Sequence, residues 1–455
     1  MHKQNGAHVA ILGGGPAGLW SGYFAKKMHL PFTIFEARDR IGGNSVTFRY
    51  GDFYFDSGPH LLQTKDVKAT NEIKELLQGE LEELILPVQT YVDGRLVDFP
   101  FSPLDLFKTL GPCFFLRTVI DILIQRILPH RQYENFEDFA FRNYGKKMAK
   151  SCLLNYSEKL WGLPARSLSP KIGGHQLRGF NLATLFVEVT RGRAAKIERM
   201  GGRIYYPKGG FGKISEALGD FCGRDKIRTQ SRVTSVFHDG HKIKSIELNG
   251  QEIVHTDAVL STLPPNELVQ LLQPGAPEEI LRTARNLHFR SLIIVVVLLR
   301  RASVTAAASI HFPDPQLPFT RIHEPNKRCR SMSPDGLTSL VAEIPCQKDD
   351  ETWSQQDSEL IARVIEGLKH VHLISTDEVT SGTVVRLDNA YPVLDAKHDQ
   401  LIQKIRDYLE NFTNLRLTGR TGNFSYLSQH HILKSAKKTI LSYSPVNASD
   451  RENSK

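Results

Sequence analysis

The chain has 455 residues, and this length favours two or three interleaved domains over one simple core. Its net charge of +9 is spread along the chain without a nucleic-acid-binding motif, so we expect no nucleic-acid partner; the mildly basic surface either suits an anionic substrate or has no functional meaning. Its five scattered cysteines form neither C-x-x-C nor a close Cys/His cluster, so we expect no disulfide framework, no metal site and a cytoplasmic location.

The first predicted element is a buried strand, Val9–Leu12, that runs directly into a glycine loop and a helix. No apolar segment precedes it, so we expect no secretion signal. Its loop has the form G-x-G-x-x-G, in which Gly13 permits the tight turn, Gly15 lets the backbone approach a pyrophosphate, and Gly18 lets the helix pack close to the strand. We expect nucleotide contacts at Gly13, Gly15, Pro16, Ala17 and Gly18.

A second predicted strand, Phe32–Phe35, ends at Glu36, eighteen positions after Gly18. A carboxylate at this point accepts hydrogen bonds from both hydroxyls of an adenosine ribose and disfavours a ribose 2′-phosphate. A lone G-x-G-x-x-G also fits an ordinary loop. The flanking strands, the helix and the acid at these distances favour a βαβ nucleotide cradle.

The segment after Glu36 is "ARDRIGGN". Its arginine and glycine pair resemble the second phosphate-contacting loop of FAD proteins in the amine oxidase and protoporphyrinogen oxidase clan. The resemblance implies FAD, and the absence of a Cys or His at a recognisable flavinylation motif implies that it is bound non-covalently. It adds further expected cofactor contacts at Ala37, Arg40, Gly42, Gly43 and Asn44.

The next segment, "DFYFDSGPH", resembles the strand and turn that return under the flavin ring in this clan. The resemblance implies cofactor contacts at Gly58, Pro59 and His60. His60 would supply a hydrogen bond or a proton near the ring, and a buried structural histidine is the alternative.

Residues 71–199 are largely helical in pattern and punctuated by prolines. Within them, Phe114 to Leu128 is too polar to span a bilayer, and the run "SLIIVVVLL" further on is too short. Helical spacing places four apolar side chains on one face of the first stretch, toward either the core or a membrane surface, and we favour the core: Leu116, Ile120, Leu123 and Ile127. Trp161 either stacks on a ring substrate or, as we favour, packs at a helix end.

The later elements return to the cradle and then form a sheet. "YYPKGGFGKISEAL" predicts a strand, a glycine loop and a helix, and "RVTSVFHDGHKIKSIELNGQEI" predicts a hairpin whose Val233 we expect at the cofactor. "DAVLSTLPPNELVQLL" predicts a buried strand and a helix. "RSLIIVVVLLRR" and "TSGTVVRL" then predict strands of a substrate-facing sheet.

The closing segment, "NLRLTGRTGNFSYLSQHHILKSAKKTI", predicts a strand, a Gly-Arg turn and a helix. It resembles the third FAD contact of the clan, which implies that Gly419 and Arg420 meet the cofactor. The helix N-terminus would point at the pyrimidine edge of the flavin, where its dipole stabilises negative charge.

These elements predict an α/β protein with a discontinuous, Rossmann-like FAD-binding domain of the GR2 type, over residues 1–70, 200–266 and 410–445. Residues 71–199 would form a mainly helical insertion, residues 267–409 a sheet-rich substrate domain, and residues 446–455 a disordered tail.

One branch of the clan, which includes UDP-galactopyranose mutase, is similar to this chain from end to end. In "FTRIHEP", Arg321 would face the diphosphate of a nucleotide sugar, with a surface salt bridge to Glu324 as the alternative. Tyr391 of "AYPVLD" and Tyr426 match further site residues, or else pack in the core. Gln63 and Ser428 depart from the mutase pattern.

Two enzyme classes therefore remain, with His60, Arg321, Tyr391 and Tyr426 as the catalytic candidates. We favour an oxidoreductase in which flavin accepts a hydride from an unidentified small-molecule substrate. The alternative is a mutase-like enzyme that interconverts pyranose and furanose forms of a nucleotide sugar through a reduced-flavin adduct. A flavin-binding protein without catalysis is a third class, and the oligomeric state stays open.

Overall fold

The computed structural model describes residues 7–63, 66–101, 103–127, 132–173 and 204–443. The predicted tail, residues 446–455, and the end of the predicted helical insertion, residues 174–199, lie outside the described residues.

The strands of the described residues are β1 (Val9–Leu12), β2 (Phe32–Phe35), β3 (Thr47–Tyr50), β4 (Phe53–Asp56), β5 (Leu62–Gln63), β6 (Leu81–Leu84), β7 (Val88–Val92), β8 (Arg95–Phe99), β9 (Ile204–Pro207), β10 (Ile227–Arg228), β11 (Val233–His238), β12 (Ile243–Leu248), β13 (Glu252–His255), β14 (Ala258–Ser261), β15 (Leu272–Gln273), β16 (Phe289–Leu299), β17 (Ser309–His311), β18 (Arg321–His323), β19 (Thr338–Cys346), β20 (Val379–Pro392) and β21 (Leu415–Leu417).

The α-helices of the same residues are α1 (Pro16–Lys27), α2 (Val67–Leu76), α3 (Pro103–Leu110), α4 (Pro112–Ile127), α5 (Phe136–Tyr144), α6 (Lys146–Met148), α7 (Asn155–Trp161), α8 (Lys213–Cys222), α9 (Pro265–Leu268), α10 (Glu278–Arg285), α11 (Glu351–Ser354), α12 (Asp357–His370), α13 (His398–Leu409), α14 (Gly419–Gly422) and α15 (Gln429–Leu441). A π-helix, Ala149–Leu154, joins α6 to α7.

A five-stranded parallel sheet is built from three separate parts of the sequence. Its order is β10-β2-β1-β14-β21, and every neighbouring pair is parallel. All residues of β1 and β14 are buried because both faces of the sheet are covered. Helices α1, α8 and α15 contribute to the core on one side, and the hairpin strands β11 and β12 with α13 contribute to the core on the other. This Rossmann-like unit confirms the predicted α/β class.

A seven-stranded sheet forms the second layer of the molecule, in the order β20-β16-β19-β18-β17-β7-β8. Its long strand β16, which lies between β20 and β19, is buried along its whole length. Alternate side chains of β16 enter two different cores, with Ile293 on the side of helix α12 and Ile294 on the side of β4. A strand buried on both faces reads as a continuous apolar run, and this explains why "SLIIVVVLL" shows no alternation.

Three smaller sheets complete the strand topology. The hairpin β11–β12 continues into β13 and β15 in the order β13-β12-β11-β15, β3 pairs with β4, and β9 lies between β5 and β6. The segment predicted as mainly helical thus also contains β6, β7 and β8, and β7 joins the seven-stranded sheet by parallel pairing with β17. The division into domains stays a prediction.

The prediction that four apolar side chains of α4 pack in the core is wrong. The inner face of α4 consists of Phe114, Thr118 and Ile122, which are buried. The predicted residues lie on the other side, with exposed fractions of 60% for Leu116, 47% for Ile120, 46% for Leu123 and 85% for Ile127. No helix of the described residues is long and apolar enough to cross a membrane.

Candidate functional site

The first glycine loop joins β1 to α1 in the predicted way. Gly13 has a φ of +105°, a conformation that favours glycine, and a Cβ on Gly18 would lie 1.9 Å from the carbonyl oxygen of Gly13. Gly15 precedes Pro16, the first residue of α1. A Cβ on Gly15 would meet only the Cα of Gly43, at 3.8 Å. Packing of the chain therefore requires glycine at positions 13 and 18, whereas position 15 is open toward a bound group.

Glu36 is buried at the end of β2, and backbone groups hold its carboxylate. One oxygen accepts a hydrogen bond from Gly14 N at 2.7 Å, and the other accepts one from Arg38 N at 2.8 Å. The carboxylate is thus fixed beside the glycine loop, and its remaining lone pairs suit ribose hydroxyls.

The other two predicted cofactor loops meet the first loop through their glycines. Gly42 N donates to Gly14 O at 2.9 Å, and a Cβ on Gly43 would lie 3.2 Å from the Cα of Gly15. A Cβ on Gly419 would lie only 2.4 Å from the Cβ of Ala17. Three segments that are distant in sequence therefore converge as bare backbone, and this arrangement fits the pyrophosphate of a flavin nucleotide.

Not every predicted cofactor residue lies at this convergence. The Arg40 guanidinium stands over the Phe48 ring, 4.6 Å from its centroid. Ala37 is exposed, Asn44 donates to Asn389 O at 3.4 Å, and Val233 is the first residue of β11. Their predicted contacts stay predictions.

A second group of polar residues lies where the seven-stranded sheet meets the turn of Gly58, Pro59 and His60. Arg321 of β18 and Glu343 of β19 are register partners. A Cβ on Gly58 would lie 3.6 Å from the His60 ring and 3.9 Å from Oε1 of Glu343. We call this group the polar cluster. Its members are linked to one another by hydrogen bonds, ring contacts or electrostatic interactions, and they are His60, Tyr156, His311, Arg321, His323, Arg328, Glu343, Tyr391, Arg420 and Tyr426.

The centre of the polar cluster is a two-point ion pair. Arg321 donates from Nη2 to Oε2 of Glu343 at 2.6 Å and from Nε to Oε1 at 3.2 Å. Although burial opposes the charge on Arg321, the Glu343 carboxylate raises the pKa of Arg321 well above its ordinary value. The Glu343 side chain is fully buried, while Arg321 keeps 18% exposure and therefore borders space that a molecule can enter.

The alternative prediction for Arg321, a surface salt bridge to Glu324, is wrong. The Glu324 carboxylate is buried and accepts hydrogen bonds from Val304 N at 3.0 Å and from the Thr338 hydroxyl at 2.8 Å. The pair of Arg321 is thus neither on the surface nor local in sequence.

His60 and His311 hold neutral imidazoles at neutral pH. Burial lowers the pKa of His60 to about 3, and the charges of Arg420, Arg321 and Arg328 act in the same direction. Burial, assisted by Arg321, also lowers the pKa of His311 to about 3. His60 Nδ1 has no hydrogen-bond partner among the described residues. His60 can therefore form a hydrogen bond with a bound group, but its neutral imidazole does not act as an acid at neutral pH.

Aromatic rings form one wall of the polar cluster. Tyr391 and Tyr426 stack with ring centroids 6.4 Å apart and an interplanar angle of 24°, and Trp161 meets both rings edge-on. The Arg420 guanidinium lies 4.0 Å from the Tyr426 centroid and 5.3 Å from that of Tyr391. The Tyr426 side chain is 57% exposed, so core packing, the alternative considered for it, is wrong.

Lys159 fixes the helix that carries Trp161 against the sheet. Its ammonium donates to the carbonyl oxygens of Phe312, Asp314 and Phe319 at 3.0, 2.6 and 2.9 Å. Burial lowers the pKa of Lys159 to about 8. Trp161 itself lies at the end of α7 and is 5% exposed, which confirms the predicted packing at a helix end.

Sequence reasoning missed five members of the polar cluster: Glu343, Arg328, Tyr156, His311 and His323. Only Glu343 carried a usable signal, because it is the one charged residue in the buried strand "TSLVAEIPC". The others lie in segments whose pattern gives no indication that they face Arg321.

Comparisons with known proteins agree with this geometry. The sequence model of a family described as flavin containing amine oxidoreductase matches residues 23–421. Coproporphyrinogen III oxidase of Bacillus subtilis (strain 168) is 22% identical over 446 residues, which cover 90% of this chain and 93% of that protein.

Two solved structures resemble the fold over nearly the whole chain. A reduced UDP-galactopyranose mutase has a TM-score of 0.83 at 20% identity, covering 96% of each chain. A putative protoporphyrinogen oxidase from Exiguobacterium sp. 255-15 has a TM-score of 0.74 at 19% identity, covering 96% of this chain and 98% of that one. At these identities the likeness concerns the fold alone.

We expect the Arg321–Glu343 pair to be required for stability. In Glu343→Gln, the buried guanidinium loses its charged partner, so the free energy of unfolding should fall by about 3 kcal/mol. Urea denaturation measures the change. Glu252→Gln is the matched control, because Glu252 pairs with Arg228 on the surface and its loss should cost far less stability. Equal effects of the two substitutions would contradict the assigned burial of the pair.

We also expect the free energy of unfolding to decrease as the pH is lowered, because His60 and His311 stay neutral in the folded protein. The pKa of each histidine lies near 3 in the folded protein, against the ordinary value of 6.5 in the unfolded chain. Between these pH values the unfolded chain binds the extra protons, so the free energy of unfolding decreases as the pH falls. Each histidine contributes up to about 1.4 kcal/mol per pH unit. His311→Gln should have a shallower slope below pH 6.5 than the parent protein, and an unchanged slope would contradict the assignment.

Proposed function

The chain belongs to the family of flavin-containing amine oxidoreductases, and we propose that it is an FAD-dependent oxidoreductase that transfers a hydride from an anionic small-molecule substrate to non-covalent flavin. The observation that carries this proposal is the excess of guanidinium groups over carboxylates in the polar cluster. The three arginines concerned, Arg321, Arg328 and Arg420, all act electrostatically on His60.

The carboxylates near these arginines are already engaged. Glu343 holds Arg321, and Asp56 accepts hydrogen bonds from the Thr47 and Tyr206 hydroxyls and from Phe211 N. Nitrogen atoms of Arg328 and Arg420 have no hydrogen-bond partner among the described residues, although they are buried. Unpartnered guanidinium nitrogens favour an anion and disfavour an ammonium group. This charge supports a carboxylate or phosphate substrate rather than a protonated amine.

The chain contributes binding, orientation and charge to the reaction. A bound flavin supplies the hydride acceptor. Arg420 and Arg328 would hold the anionic group, and the stacked pair of Tyr391 and Tyr426 would orient the apolar part of the substrate. Burial, with Glu343, raises the pKa of Tyr391, so this hydroxyl keeps its proton and acts as a hydrogen-bond donor.

A mutase-like activity on a nucleotide sugar is the second candidate, and one observation favours it. The guanidinium of Arg420 lies beside the exposed ring of Tyr426, an arrangement that suits a diphosphate attached to a planar base. The pair of Arg321 with Glu343 weakens this candidate, because a diphosphate at Arg321 would have to approach a buried carboxylate.

The cofactor proposal predicts a yellow protein that releases FAD when it is denatured. In Gly15→Val, a side chain would occupy the position where backbone approaches phosphate, so flavin should be lost while the protein stays folded. Gly275→Val is the matched control, because nothing lies within 4 Å of a Cβ at Gly275. Flavin absorbance and circular dichroism measure the two effects. A colourless parent protein that takes up no FAD on reconstitution would refute the proposal.

The substrate proposal predicts which class of molecule perturbs the flavin spectrum. Coproporphyrin as a polycarboxylate, UDP as a diphosphate and cyclohexylamine as a cation are titrated into the oxidised and the reduced holoprotein. We expect a response to the polycarboxylate, and about a tenfold to hundredfold weaker response in Arg420→Gln. The response is expressed per bound flavin, because Arg420 is also a predicted cofactor contact.

The same titration separates the competing functions. A response to UDP in the reduced parent protein that Arg420→Gln loses would favour the mutase. A response to the amine alone would contradict an anionic substrate. The double variant Arg321→Gln/Glu343→Gln removes both charges of the central pair. It should bind the polycarboxylate nearly as well as the parent, because the net charge of the cluster is unchanged.

A further inference from the structure

One stretch of the surface concentrates exposed apolar side chains. Of the thirteen large hydrophobic side chains that are exposed in the described residues, six lie on α3 and α4. We call them the apolar face, and they are Phe107, Leu116, Ile120, Leu123, Ile124 and Ile127. Single exposed hydrophobic residues are ordinary, whereas a contiguous group marks an interaction surface.

Helical spacing makes the apolar face continuous. Leu116, Ile120 and Ile124 follow one another at intervals of four residues, and Leu123 and Ile127 complete the same side of the helix. On α4 the strip runs from Leu116 to Ile127, which makes it about 17 Å long. Phe107 of α3 extends the strip, since its ring packs 5.7 Å from that of Phe115.

The charges around the apolar face are basic. On α3 and α4, Lys108 and Arg117 are exposed, whereas the acids Asp105 and Asp121 are half-buried. Asp121 accepts a hydrogen bond from Lys147 N at 2.7 Å, so α6 lies directly beside α4.

Beside α4, Lys146 of α6 and Lys150 of the following π-helix add two exposed basic side chains. An apolar strip with a basic border is the pattern of a helix that lies in the surface of an anionic bilayer.

We propose that the apolar face docks the protein on an anionic lipid surface, with α4 parallel to the membrane plane. Charge favours lipid over a second copy of this chain. A two-fold contact through α4 would bring the same basic side chains of both copies together, whereas anionic headgroups neutralise them. The proposal does not depend on the reaction that the protein catalyses.

The docked helix is part of the same core as the candidate site. Phe114, on the inner side of α4, packs in one cluster with Trp161, whose ring meets Tyr391 and Tyr426. The surface that meets lipid and one wall of the polar cluster thus belong to a single packed unit.

Vesicle flotation of the FAD-loaded protein tests the proposal. We expect the protein to float with vesicles of phosphatidylcholine that contain about one-third phosphatidylglycerol, and to bind pure phosphatidylcholine less. Binding should decrease by at least about tenfold in Ile120→Glu/Ile124→Glu, because two charges enter the apolar face. Ile253→Glu is the matched control, because Ile253 is an exposed hydrophobic residue on the strand β13.

The basic border has its own variant, Lys146→Glu/Lys150→Glu, which should weaken binding to anionic vesicles and leave binding to neutral ones unchanged. Retention of flavin in all variants shows that they are folded. Absence of flotation, or flotation that Ile120→Glu/Ile124→Glu does not reduce, would overturn the proposal. Light scattering that shows a dimer which the same double variant converts to monomers would assign the apolar face to a second copy and overturn it as well.

Discussion

The close approach of bare backbone segments is the constraint on which the cofactor site depends. Gly18 lies against Gly13, Gly43 against Gly15, and Gly419 against Ala17, each at a distance that leaves little or no room for a side chain. The parallel sheet makes this approach possible, because the carboxyl ends of β1, β14 and β21 meet at one edge. Turns that are separated by hundreds of residues can then surround one pyrophosphate without a charged side chain.

The second constraint is electrostatic, and it concerns two strands of the seven-stranded sheet. A guanidinium group can remain buried at Arg321 only because the register of β18 and β19 places Glu343 opposite it. Once this pair is satisfied, the remaining arginines determine the character of the polar cluster. Their charges add to the effect of burial in lowering the pKa of His60, and donors at Arg420 stay without partners among the described residues. The chemistry of the site is therefore set mainly by the surplus of positive charge.

The sequence predicts the cradle well because its signals are local. The strand Val9–Leu12, the glycine loop and Glu36 lie within one short stretch, and the structure has each of them as expected. The sequence predicts the polar cluster poorly, because strand register and long-range packing determine which residues come together there. The partner of Arg321 is an example, since Glu343 lies on the adjacent strand and not at the nearby Glu324. For α4, periodicity correctly gives an apolar face but contains no information on whether protein covers it.

The same fold serves proteins whose names indicate different reactions, so the fold does not decide between oxidoreductase and mutase. The charge of the site provides a criterion that the fold does not. An oxidase of protonated amines requires a pocket in which an ammonium group can lose its water without meeting other cations. The charge of Arg321 is balanced by Glu343, so the proposed preference against such a substrate rests on Arg328 and Arg420, which would repel an ammonium group. The surplus of arginine in the polar cluster therefore favours the proposal of a substrate that carries carboxylate or phosphate groups, whether the protein is an oxidoreductase or a mutase.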